Sequence, residues 1–381
     1  MSTSARAHAA GIAEYTQAGS ARALALNNRG PAHFDARGKL HPEILDAFSE
    51  HGFYVFEGVV DNAEINELRD DIDFLLEHAP TGQGANLDRK GRPAYGQELA
   101  RNPYIFIKPL SDPWGGTKIL NGRHPTQMSQ PLPAADAPDE VVHLLSGMCQ
   151  TMPSGLRLYG HPQLLAIAES INGEDFVPYN DATFVKQPEL GGSVSWHQDG
   201  VTHWDSPDWD EGIHGFNFQV QLYPCTARNC LWVVPGTHKL GRIDIKSLIA
   251  EHGGSEQLPG AVPLICKPGD VTIANRQVVH GSFANTSPDL RVSLTFGFHR
   301  RASVLGARGA LSQAAEEVYD EQRIFERSCV IQVAIDARAQ QFSEETPFAY
   351  KPFEGLEDAY RFNDANFERV VRDYNLKDLS I

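Results

Sequence analysis

Between residues 177 and 300 the chain reads as a succession of short β-type runs, each closed off by Gly, Pro or Asn. The runs cover residues 183–186, 193–196, 216–223, 231–234, 271–274 and 291–298. Short β-type runs punctuated in this way are expected of an antiparallel sandwich or barrel. Residues 216–222, Phe-Asn-Phe-Gln-Val-Gln-Leu, alternate almost without fault, so one face is apolar and the other carries amides.

The flanks have a different texture. Pro42–His51 has Ile44, Leu45 and Phe48 at helical spacing and stops at Gly52. The next four residues, Phe-Tyr-Val-Phe, read as a buried strand. Asp61 then stands as an N-cap, with Glu64 at the capping-box position and an apolar stripe of Ile65, Leu68, Ile72, Leu75 and Leu76 behind it. Residues 80–137 are rich in Gly, Pro and Asn around one strand-like run at 104–107, a texture that predicts a lid or binding loop. Helices are expected near 164–171 and over 312–327, and an aromatic, acidic tail beyond Phe342 is expected to wrap the surface. The organisation that follows is a tail over 1–38 and one domain over 39–381. That domain has a helical N-terminal part (39–176), a β core (177–300) and a helical or irregular C-terminal part (301–381).

A formal net charge of −16 repels nucleic acid and anionic membrane, and no run approaches a membrane span, so neither is an expected partner. The five cysteines are odd in number and thinly spread, which suits a reducing compartment. The first thirty residues lack the continuous apolar stretch of a secretory signal and read as a tail or short helix on a cytoplasmic protein. The glycine motifs of nucleotide binding, the G-x-S-x-G of serine hydrolases and the H-E-x-x-H of zincins are missing.

Of fifteen histidines, one stands in a telling context: Trp196-His197-Gln198-Asp199, at the end of a predicted strand. Two residues apart on an extended chain, His197 and Asp199 project to the same side. His280, just past the run 271–274, is placed to supply a third ligand. Two histidines and one carboxylate with open positions suit non-haem Fe(II). Arg291 follows eleven residues later and opens the last strand, where a guanidinium can clamp a carboxylate in bidentate fashion. Ser282 can donate to that same carboxylate. Iron plus a carboxylate clamp is the minimal apparatus for 2-oxoglutarate.

Four segments together resemble the phytanoyl-CoA dioxygenase family of Fe(II)/2-oxoglutarate oxygenases, which includes ectoine hydroxylase. They are residues 52–59, the element 196–199, the stretch 229–238 ending in Pro-Gly-Thr-His, and His280-Gly281-Ser282 with Arg291. The resemblance implies a mainly β fold with helical decoration around a double-stranded β-helix (a cupin-like jelly roll). It implies His197, Asp199 and His280 as iron ligands, and Arg291 with Ser282 on the distal carboxylate of 2-oxoglutarate. Lys186 and Thr183 lie on the strand where the family places further co-substrate contacts, and His238 belongs to a structural turn.

The resemblance further implies that 2-oxoglutarate and O2 are consumed to give succinate and CO2 while an unactivated C–H of a small-molecule substrate is hydroxylated. Residues 200–215, with Trp204, Trp209 and His214, form an aromatic, acidic insertion directly after the ligand pair. Trp204, Trp209 and Phe216 are the expected substrate contacts. Asp199 argues against a halogenase, which needs a small residue there. A metal-dependent isomerase or decarboxylase on this fold, or a non-catalytic binding protein, would have no need of Arg291 and Ser282.

Overall fold

The computed structural model describes residues 1–178, 181–199, 215–309 and 317–374. Its strands in chain order are β1 (Arg29–Gly30), β2 (Phe53–Phe56), β3 (Tyr104–Ile107), β4 (Val141–Ser146), β5 (Val177–Pro178), β6 (Ala182–Lys186) and β7 (Val194–His197). After them come β8 (Gly215–Gln221), β9 (Trp232–Val234), β10 (Val262–Pro263), β11 (Val271–Asn275), β12 (Val279–Ser282) and β13 (Arg291–His299), then the separate pair β14 (Arg308–Gly309) and β15 (Glu317–Val318). Nine of these form a main sheet in the order β1-β2-β11-β8-β13-β6-β4-β3, with β5 on β13. A four-stranded minor sheet runs β10-β9-β12-β7. All pairings are antiparallel except β1 with β2. The jelly-roll expectation holds: two facing sheets, open at their edges, share a cluster of Phe53 and Ala274 from one with Val233 and Val262 from the other.

Alternation explains both faces of the main sheet. Phe216, Phe218 and Val220 of β8, with Val292, Leu294, Phe296 and Phe298 of β13, are all fully buried on the outer face. Each such side chain contributes about 1.5–3 kcal/mol by leaving water. They pack under helices, including Pro153–Tyr159, Pro162–Asn172 and Glu321–Gln341. The intervening Asn217, Gln219 and Gln221, and Arg291 and Ser293 beside them, line the inner face.

The chain opens with two helices, Thr3–Gly11 and Ala13–Leu26, and the second is docked. Tyr15 of the helix Ala13–Leu26 stacks on Trp232 at 4.8 Å, and Gly19 lets the helix close on that indole: a Cβ there would come within 2.4 Å of it. This helix covers the outer face of the minor sheet. Pro42–His51 ends at Gly52, in the left-handed conformation (φ 79°), and β2 follows as the sequence indicates. Asp61 caps Asn62–Glu77 by accepting from the Glu64 N–H. The Glu64 carboxylate does not complete a capping box. It turns inward to Arg338 on the C-terminal helix, at 2.7 and 3.1 Å.

Of the helix expected over 312–327, residues 312–316 lie outside the described residues. Glu317–Val318 is extended, and the helix runs Glu321–Gln341, its N-terminus set by Asp320 accepting from the Arg323 N–H. Its Val330, Ile331, Val333, Ala334 and Ile335 join the main core. Within the tail, Tyr350 and Phe353 are buried rather than laid on the surface. All five cysteines are buried free thiols. No helix among the described residues is long and apolar enough to cross a membrane.

Candidate metal centre

β7 and β12 are neighbours in the minor sheet, and their register sets His280 directly opposite His197. Asp199 lies just past the end of β7, where its N–H donates to the Arg276 carbonyl at 2.7 Å. The three side chains therefore meet on the inner face, with one ligand atom from each within 4.8 Å of the others. His197 Nε2 is 3.6 Å from one carboxylate oxygen of Asp199, and His280 Nε2 is 3.8 Å from the other.

The tautomers follow from the hydrogen bonds. His197 Nδ1 lies 2.8 Å from the Ser195 carbonyl and His280 Nδ1 lies 2.9 Å from the Val278 carbonyl. A carbonyl only accepts, so both Nδ1 atoms carry the proton and both Nε2 lone pairs face Asp199. Burial brings both imidazoles below the ordinary value, reinforced at His197 by its basic neighbours and opposed at His280 by Asp199. Burial alone would raise Asp199; Arg123, then His280, outweigh it and bring the carboxyl down to about 2. Two neutral imidazoles and one carboxylate, with fixed lone pairs, are a donor set ready for a divalent transition ion.

Three residues that the sequence reading did not single out complete this centre. Arg123 Nη1 meets Asp199 at 2.7 Å, and Asn217 Nδ2 donates to the other carboxylate oxygen at 3.0 Å. His124 lies against His197 with ring centroids 4.0 Å apart. Arg123 and His124 come from the irregular stretch 80–137, which thus reaches the centre as a lid is expected to. No periodicity marks them. Asn217 was visible as one of the alternating amides of β8, without a partner to assign it. Gln198, between the two ligands, faces the other way and spends its amide on the Gly241 and Gln277 carbonyls and the Ile243 N–H. His238 meets the Ser49 carbonyl at 3.0 Å, a structural contact.

Further along the inner face, Arg291 and Lys186 are register partners on β13 and β6, both buried. Arg291 Nη2 donates to Gln219 Oε1 at 3.1 Å and Lys186 Nζ to the Phe283 carbonyl at 2.5 Å. Among the described residues Arg291 Nε has no hydrogen-bond partner, nor has the hydroxyl of Ser293 on the same face. Among the described residues no carboxylate lies within ion-pair distance of either cation. Burial, then Arg291, pushes Lys186 well below the ordinary ammonium value. A buried lysine held below its ordinary value, beside a guanidinium with an idle Nε, fits an arriving carboxylate. Ser282 shares the His280 face of β12 and is buried.

Two expected contacts sit elsewhere. Thr183 is three residues from Lys186, an odd step along a strand, so it belongs to the opposite face; its partners Leu145 and Leu294 are in the main core. Phe216 is likewise on the outer face, packed edge-on against Phe48 and Phe218, because its neighbour Asn217 is the residue turned to Asp199. Trp204, Trp209 and His214 lie outside the described residues.

A model of the phytanoyl-CoA dioxygenase family (PhyH) matches residues 48–293. "Phytanoyl-CoA dioxygenase domain-containing protein 1" of Rattus norvegicus is 24% identical over 308 residues, covering 73% of this chain and 97% of that protein. "Phytanoyl-CoA dioxygenase 1" of Oryza sativa subsp. japonica is 33% identical over 117 residues, a match spanning 29% of this chain and 40% of the rice protein. Among solved structures, EctD from S. alaskensis with 2-oxoglutarate and 5-hydroxyectoine superposes with a TM-score of 0.50 at 18% identity, over 72% of this chain and 81% of that one. That likeness is one of fold.

Proposed function

The chain belongs to the phytanoyl-CoA dioxygenase family of Fe(II)- and 2-oxoglutarate-dependent oxygenases, and we propose that it hydroxylates an unactivated C–H of a small metabolite while converting 2-oxoglutarate to succinate and CO2. One observation supports this most: a tautomer-fixed His-Asp-His set shares a polar inner face with two buried basic side chains that have no carboxylate partner among the described residues. An isomerase needs the first and not the second.

In this reading His197, Asp199 and His280 would hold the iron, which supplies the means of activating O2 next to a C–H bond. Arg291 and Lys186, with Ser282 nearby, would bind the far carboxylate of 2-oxoglutarate. Asn217 and Arg123 orient the two oxygens of Asp199. The stretch 80–137 excludes water above the ligands. Trp204 and Trp209 stay as proposed substrate contacts on the sequence argument.

The test is stoichiometry. Protein reconstituted with Fe(II) and supplied with 2-oxoglutarate and a metabolite extract should form succinate in step with a product heavier by one oxygen. Product of unchanged mass, formed without succinate, would replace this reading with a metal-dependent isomerase.

A further inference from the structure

His143, on β4, is fully buried, and neither of its ring nitrogens meets a hydrogen-bond partner among the described residues. Three other buried histidines, His197, His280 and His238, each place a nitrogen against a backbone carbonyl. An idle buried imidazole is costly, so its retention calls for a partner. Its surroundings say of what kind. The ring meets Phe184 edge-on at 5.9 Å, and Phe184 shares a face of β6 with Lys186. On another side it meets Trp114 at 5.2 Å, and its Nδ1 lies 3.6 Å from where a Cβ on Gly192 would stand. Burial first, then the charges of Lys186 and Arg291, bring the imidazole down to about 3, so at neutral pH it adds an N–H donor and no charge.

We propose that His143 is a positioning residue for the co-substrate, donating its ring N–H to the far carboxylate of 2-oxoglutarate beside Arg291 and Lys186. This rests on the reading of that pocket given above and goes beyond it. A carboxylate offers about four lone-pair sites, more than one guanidinium and one ammonium use. The third donor makes the pocket discriminate: a 2-oxo acid ending in a methyl group would leave it idle.

The experiment uses protein loaded with Zn(II) and measures binding by calorimetry of two acids, 2-oxoglutarate and 2-oxopentanoate, the same five-carbon chain without the far carboxylate. His143→Phe keeps the ring contacts and removes the donor. It should weaken 2-oxoglutarate about ten- to a hundredfold, the range for a hydrogen bond to a charged group, and leave 2-oxopentanoate unchanged. His143→Asn should recover part of the loss. In the wild-type protein, 15N NMR of the His143 ring should shift with 2-oxoglutarate and not with 2-oxopentanoate, a readout that needs no variant to fold. Wild-type affinity in His143→Phe alongside a loss in Arg291→Ala would overturn the proposal and spare the pocket. Equal loss of both acids would also overturn it, as a packing role. Wild-type affinity in Arg291→Ala would remove the pocket reading, and the proposal with it.

Discussion

Replacing Arg338 by Met tests how the two ends of the chain are held together behind the site. Arg338 is 4% exposed and Glu64 is 5% exposed, and two charge-assisted hydrogen bonds of 2.7 and 3.1 Å join them. Arg338 also meets Glu345, a third exposed, at 2.6 Å. Glu345 returns to water when the guanidinium goes. Glu64 cannot, because the helix Asn62–Glu77 holds it inside. Breaking a buried pair from one side costs about 3–5 kcal/mol, or roughly two to four decades in the folding equilibrium.

The pH dependence has a definite sign. Burial already raises Glu64 above the ordinary carboxyl value, opposed by Arg338. Without Arg338 the folded-state value rises further above the unfolded one. Protonated Glu64 is then tolerated at low pH, and stability is lost as pH climbs through the raised value. Equilibrium denaturation of Arg338→Met should show the deficit at pH 7 and a narrowing gap to wild type toward pH 5. The double variant Glu64→Leu/Arg338→Met should regain most of the loss, since an apolar pair of similar volume often replaces a buried ion pair without cost. A deficit below about 1 kcal/mol in Arg338→Met, or no recovery in the double variant, would refute the reasoning.

Three further outcomes are expected. His197→Ala, Asp199→Ala and His280→Ala should each lose stoichiometric Fe(II) or Co(II) binding, read by metal analysis and visible spectra, while their circular dichroism stays that of wild type. Arg291→Ala should raise the 2-oxoglutarate requirement by hundreds-fold, the equivalent of about 3–5 kcal/mol for a buried charge stripped of its partner; an anaerobic titration measures it. Gly19→Leu places a side chain where the Trp232 indole already lies, so the N-terminal helix should undock and become sensitive to limited proteolysis, with the metal centre retained.

Much of this architecture was readable from local patterns. Pro42–His51, β2, the Asp61 cap and β8 all announce themselves within a few residues, because a turn residue and an apolar period coincide. The His-x-Asp geometry is a property of strand alternation alone. β4 and β12 were missed: neither is marked by a local alternation, and their character comes from neighbours far away in sequence. The same limit applied within the site. Arg123, His124 and Trp114 sit in a stretch with no period, and what defines them is the residue they meet across the fold. Thr183 was misplaced where strand identity was right and face was not, an error of parity that only the ladder with β13 resolves.

The cross-strand pairing of His197 with His280 has one more consequence. Ladder hydrogen bonds and two backbone carbonyls fix where the two imidazoles stand and how they are turned, so the protein's own backbone sets the spacing of these donors. Such a donor set will hold zinc, cobalt or copper more tightly than iron, since affinity for these donors follows the ion's place in the divalent series. Which ion a given molecule carries is then decided by supply at the moment of loading. A purified sample can be folded, fully metallated and inert, and its activity should track the iron fraction rather than the protein concentration.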